Sequence, residues 1–238
     1  MRRSPMLGVS AGIARSAAAL TVSLLPCGCF DVQQVALDPA AASSAGARVI
    51  DDFEDGDFRP LDDGFAPWRC ITYNPGPGRQ PVRCGASAEG FSGEHGYSLW
   101  FELSDAPDGT DAYPSAELFA PSQDDAPQDF SSYTELRLAA KFEPGDQPPP
   151  EDMGLSVSLN CNAGYDAPQS VDDLGPLSGA WQRIILPLED FAQPSWQKPP
   201  VDTRSCLSRV NGIAFDVGGP SDGGRADGTL LVDDVYLQ

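Results

Sequence analysis

Tyr97-Ser98-Leu99-Trp100-Phe101-Glu102-Leu103 alternates strictly, with Tyr97, Leu99, Phe101 and Leu103 as one apolar set and Ser98, Trp100 and Glu102 as the other. A period of two is the pleat of a half-buried β-strand, so the first set faces a core and the second faces solvent. The same reading of Met153–Asn160 turns Leu155, Val157 and Leu159 inward and Ser156, Ser158 and Asn160 outward. In Leu136–Phe142 it turns Leu136 and Leu138 inward and Arg137, Ala139 and Lys141 outward. Six further short β-like segments, Arg48–Glu54, Pro67–Thr72, Pro114–Phe119, Ala180–Leu188, Arg209–Val217 and Thr229–Leu237, are separated by clusters of Gly, Pro and Asp. With 24 Gly and 23 Pro there is little room for long helices, and short strands joined by turns predict an all-β sandwich or barrel.

The chain opens with Arg2 and Arg3, an acid-free apolar stretch from Met6 to Leu25, and then Pro26-Cys27-Gly28-Cys29. Charged, apolar, then small is the order of a secretory signal, so export is expected. Ser10, Gly12, Arg15 and Ser16 interrupt the stretch, which falls short of the roughly 20 apolar residues of a spanning helix. Residues 1–29 resemble a bacterial lipoprotein signal, in which a cysteine following a small residue receives the lipid. The resemblance implies Cys29 as the attachment site ahead of Cys27, although Pro26 stands where the pattern has Leu. It also implies a membrane-anchored protein of the bacterial cell envelope, on the periplasmic or the outer surface. An ordinary cleaved signal without lipid is the alternative. Residues 30–47 are Ala/Ser-rich and read as a tether. Residues 48–238, which contain no internal repeat, read as one domain.

The formal net charge is -20, and only three basic residues and no acidic ones lie within residues 1–28, so the exported part is strongly anionic. Such a surface repels phosphate backbones, which excludes nucleic acid as an expected partner. Cys70, Cys84, Cys161 and Cys206 are an even set in a compartment that permits disulfides. Zinc is disfavoured, because no C-x-x-C pair exists and His95 is the only histidine. Cys70 and Cys84 flank the Pro/Gly-rich loop Asn74–Gly78, which predicts Cys70–Cys84 and, with it, Cys161–Cys206. Composition alone leaves three connectivities open.

Five motifs carry a family resemblance: Val49–Gly56 (VIDDFEDG), Gly93–Leu99 (GEHGYSL), Asp129–Leu136 (DFSSYTEL), Trp181–Phe191 (WQRIILPLEDF) and Leu231–Leu237 (LVDDVYL). Together they resemble a galactose-binding-like jelly roll of the carbohydrate-binding-module type, over nearly all of residues 48–238. The resemblance implies an antiparallel jelly-roll β-sandwich, a polysaccharide or other glycan as partner and a monomer. Its first and last motifs bring acids to the two ends of the domain. Similar modules often carry a structural calcium there, which implies Glu54, Asp233 and Asp52 as side-chain ligands. A solvated acidic rim is the alternative. Asp105–Asp111 does not match the EF-hand spacing and reads as a turn, while Trp181 and Phe191 read as core.

Sugar rings stack on aromatic planes while their hydroxyls need donors and acceptors. Trp100 lies on an outward phase, Trp68, Tyr73 and Trp196 adjoin loops, and Arg137 and Asn160 supply polar groups on outward phases. These six are the candidate glycan-binding residues, although a solvated sheet face needs the same residue types. A non-catalytic carbohydrate-binding protein is the leading reading. A glycan hydrolase or lyase using a carboxylate pair is the second, and a structural or adhesion module binding another protein is the third. Nucleophilic catalysis would depend wholly on His95, in a Gly-rich turn, so no catalytic residue is expected.

Overall fold

The computed structural model describes residues 46–73, 82–103, 115–146, 155–161, 169–171, 179–193, 201–218 and 226–238. Residues 1–45, which include Cys29 and the expected signal and tether, the acidic stretch 105–111 and Trp196 lie outside the described residues. Eleven strands are described: β1 Arg48–Asp51, β2 Arg69–Tyr73, β3 Val82–Ser87, β4 Gly96–Leu103, β5 Ser115–Pro121, β6 Glu135–Pro144, β7 Leu155–Cys161, β8 Gln169–Val171, β9 Gln182–Pro187, β10 Val210–Gly218 and β11 Ala226–Leu237. One α-helix, α1 Thr203–Leu207, and two single-turn 3-10 helices are described with them. Asp202 caps α1 by accepting from Ser205 N at 3.0 Å.

The strands form two antiparallel sheets, the expected β-sandwich. Sheet A has the order β3-β4-β11-β6-β9, with β1 pairing β11 beyond the end of β4. Sheet B has the order β2-β5-β10-β7-β8. The alternation read in the sequence sets their inner faces. Leu99, Phe101 and Leu103 of β4, Leu136 and Leu138 of β6, and Leu155, Val157 and Leu159 of β7 are all buried. Ala116, Leu118 and Ala120 of β5 and Ile213, Phe215 and Val217 of β10 complete sheet B's contribution. Phe53 bridges Trp68 and Tyr97 with ring centroids 5.7 and 5.6 Å away, and Trp68 stacks on Phe215 at 5.7 Å.

β11 changes phase partway along. Leu230 and Val232 point inward, then Val235 and Leu237 do, and the register shifts between Asp233 and Tyr236. Asp234 absorbs the extra residue with φ +50°, a left-handed conformation that Asp tolerates better than most residues. β3 and β8 are not among the segments expected from sequence. Trp181 differs from expectation too: it is half-buried against Phe91, whereas Phe191 is core.

Cys70 of β2 is bonded to Cys84 of β3 with Cα atoms 5.8 Å apart, as predicted. These are edge strands of the two sheets, so the bond staples one open side of the sandwich. Cys161, ending β7, pairs with Cys206 of α1, Cα to Cα 5.2 Å. Replacing Cys70 and Cys84 together by Ala is expected to lower the unfolding free energy by about 3 kcal/mol in denaturant titrations. A loss under about 0.5 kcal/mol would show that the edges are held by packing alone.

Candidate functional site

The acids of the first and last motifs meet where β1 pairs β11. Asp51 is 1% exposed and accepts from Phe53 N at 2.9 Å and Trp68 Nε1 at 2.7 Å. Asp233, fully buried, accepts from Phe91 N at 2.5 Å, Ser92 N at 3.4 Å and Asp234 N at 2.7 Å. Asp234 accepts from Ser92 Oγ at 2.8 Å and lies 3.8 Å from Arg183 Nη2. Glu54 takes the backbone N–H groups of Glu94 and His95, and a Cβ at Gly93 would overlap its carboxylate. These bonds tie the loop of residues 88–95 down across the outer face of sheet A.

Burial pushes the Asp51 carboxyl up to about 7 against the opposing bonds from Phe53 and Trp68. It pushes Asp233 up to about 6 and also raises Asp234, where Arg183 opposes it. The residues implied as calcium ligands, Asp52, Glu54 and Asp233, therefore act here as hydrogen-bond acceptors. Among the described residues no group of three metal-ligating side chains converges.

Sheet B presents the outward rows Arg69–Phe119–Ala214–Ser158, Ile71–Glu117–Asp216–Ser156 and Pro121–Gly212–Asn160. Phe119 is half-buried and packs over Gly212, where a Cβ would come 2.7 Å from its Cζ, so only glycine lets the ring lie across β10. The Arg69 guanidinium carbon stands 5.1 Å from that ring's centroid. Beyond the ring lie small or uncharged residues, Ala214, Ser158 and half-buried Asn160. Ser158 Oγ donates to Asp216 Oδ2 at 3.2 Å, and Glu117, opposite Asp216 in the register, is 3% exposed. The face thus carries a half-buried aromatic ring with half-buried Asn160 and Asp216 near it, over a buried floor of Ala214, Ser158 and Glu117. Tyr73 pairs in register with Ser115 at the end of β2.

The outer face of sheet A is divided. Trp100 is half-buried at one end, opposite Thr229, with the Arg83 guanidinium carbon 5.0 Å from its ring centroid. Arg137, at the other end, is held by Glu135 at 2.6 Å. Leu231, Asp233 and Ala139 between them are buried beneath the 88–95 loop. Trp100 aligns through Thr229 with Glu143, so Arg137 lies three outward positions away, about 20 Å along β6.

Trp68, Trp100, Arg137 and Asn160 do not share one site. Trp68 is core, its ring 3% exposed and its N–H spent on Asp51. Trp100 and Arg137 share sheet A but are separated by the loop, and Asn160 belongs to sheet B. The sequence reading missed Phe119, Gly212, Arg69 and Arg83. One signal was present, because Leu118 and Phe119 are adjacent in a strand and one of the two must face outward.

No family model and no curated protein matches this chain. Solved structures do. The family 11 carbohydrate-binding module of the cellulosomal cellulase Lic26A-Cel5E of Clostridium thermocellum is 16% identical, with a TM-score of 0.51 over 82% of this chain and 95% of that one. The family 11 module from Clostridium thermocellum in complex with a β-1,3-1,4-mixed-linked tetrasaccharide is 17% identical, with a TM-score of 0.52 over 82% and 96%. The fold is therefore that of a jelly-roll sandwich of the carbohydrate-binding-module type.

The acid junction predicts a pH effect of definite sign. The unfolded carboxyl of Asp51 or Asp233 ionises near 3.8, the folded ones only near 7 and 6. Their contribution is thus complete below pH 3.8, is lost as pH rises through the folded values and levels off above about pH 7. Melting temperature is expected to fall across that window, and Asp51→Asn to flatten the fall; an equal slope in the variant would contradict the assignment.

Proposed function

We propose that this protein is a non-catalytic carbohydrate-binding protein that receives a neutral glycan on the outer face of sheet B. The observation that carries this reading is Phe119, laid over Gly212 beside the uncharged strip of Ala214, Ser158 and Asn160. A pyranose presents a C–H face to such a ring and a belt of hydroxyls to Asn160, Asp216 and Arg69. The net charge of -20 favours a neutral polymer over an acidic one. The fold shared with family 11 modules, one of them solved with a β-1,3-1,4-mixed-linked tetrasaccharide, supports the same reading.

Isothermal titration with that tetrasaccharide, backed by a glycan array, is expected to show saturable binding. Phe119→Ala should weaken it roughly tenfold or more, about 1.4 kcal/mol, with the melting temperature unchanged. Gly212→Ala should weaken it as well, by lifting the ring. Silence across the array would turn the reading toward a module that binds another protein.

The hydrolase alternative has one observation in its favour: Glu117 and Asp216 occupy opposite positions on the same face. Release of reducing sugar, lost in Glu117→Gln, would establish it over the binding reading.

Export and anchoring through Cys29 belong to the proposal and rest on the signal sequence. Labelled palmitate should enter the wild-type chain and not Cys29→Ala. A calcium ion near Asp52, Glu54 and Asp233 rests on the resemblance alone and would have to release Asp233 from its N–H donors. A melting temperature unmoved by both calcium and chelator removes it.

A further inference from the structure

The two edge strands joined by the disulfide carry the same dipeptide, Arg69-Cys70 on β2 and Arg83-Cys84 on β3. Each cysteine points into the sandwich and each arginine points out. The outward Arg69 stands over Phe119 and the outward Arg83 over Trp100, each aromatic being the direct register partner of its arginine on the next strand. Among the described residues no ion pair joins either arginine to a carboxylate, whereas Arg48 and Arg183, which also stand over rings, each have one. In a chain with 35 acidic and 15 basic residues, two guanidinium groups set against rings rather than carboxylates form a repeated arrangement.

We infer that Trp100, Arg83 and Thr229 form a second glycan-binding platform on the outer face of sheet A, which makes the protein bivalent. The inference rests on the sheet B reading, because it assigns the same ligand class to both faces. The indole supplies the plane for the C–H face of a pyranose once the Arg83 guanidinium, which stands over the ring, swings aside to its edge. Arg83 supplies fork donors and Thr229 a hydroxyl, while Glu102, Asp227 and Glu143, each already engaged within the protein, stand at the rim. Those three carboxylates also exclude an acidic sugar, which fixes the occupant as a neutral glycan. The 88–95 loop, clasped to sheet A through Lys141 and Glu89 at 2.5 Å, closes the platform on the Arg137 side. The two platforms face away from each other across the sandwich, so each takes its own glycan chain and one protein links two chains.

Stoichiometry with the β-1,3-1,4-mixed-linked tetrasaccharide separates this inference from the reading it rests on. The full chain should bind two molecules, Trp100→Ala one, Phe119→Ala one, and the double variant none. Arg83→Ala, which keeps the indole, should weaken one of the two sites and leave the other. A wild-type stoichiometry of one that Trp100→Ala does not change would overturn the second platform and leave the sheet B reading intact. One site abolished by Trp100→Ala and untouched by Phe119→Ala would overturn bivalency and the sheet B assignment together. No binding by the wild type overturns both. As a folding control, Trp100→Ala should melt at the wild-type temperature, and a soluble mixed-linked glucan should be cross-linked into scattering particles by the wild type alone.

Discussion

The carboxylate of Asp51 is buried where the first strand meets the last, with the Trp68 N–H 2.7 Å from one of its oxygens and the Phe53 N–H 2.9 Å from the other. Burying an acid without such partners costs several kcal/mol, so Trp68, Phe53 and Asp51 constrain one another. Asp233 meets the same demand from the other terminus, taking N–H groups from Phe91, Ser92 and its own neighbour. The bulge at Asp233 and Asp234 lets β11 keep Leu230 and Val232, then Val235 and Leu237, all toward the core while those acids face the loop. β11 pairs with β1, β4 and β6, so its phase sets which residues of sheet A reach solvent.

The two outer faces follow from this arrangement. On sheet A the loop drawn down by Asp233 and Asp234 covers the middle of the face and leaves Trp100 and Arg137 at separate ends. On sheet B, Gly212 lets Phe119 lie across the strands beside Asn160 and Ser158. The Cys70–Cys84 bond couples the faces mechanically, because it joins the strands that carry Arg69 and Arg83. A surface built in this way suits a neutral polyol, which asks for a ring to stack on and for short polar groups around it.

Local periodicity made the fold legible in the sequence. The alternation in β4, β6 and β7 assigns their core residues correctly, and Asn74–Gly78 between Cys70 and Cys84 marks the disulfide. β3 was not legible, because Val82-Arg83-Cys84-Gly85-Ala86-Ser87 has almost no apolar alternation and is held by pairing with β4 and by the disulfide. Trp68 was misplaced for a related reason: its burial depends on Asp51, seventeen residues away, a contact that no local pattern records. The proposed glycan platform was the least legible part. It depends on a glycine in β10 beneath a phenylalanine in β5, a relation visible only once the register is known.

The central claim is that the outer face of sheet B, with Phe119 as its plane, receives a neutral glycan. Amide chemical shifts followed during titration with the mixed-linked tetrasaccharide test it most directly. The account predicts saturable shifts at Phe119, Gly212, Ala214, Ser158 and Asn160. Saturable shifts that leave β5, β7 and β10 unmoved, or no shifts at millimolar sugar, would contradict it.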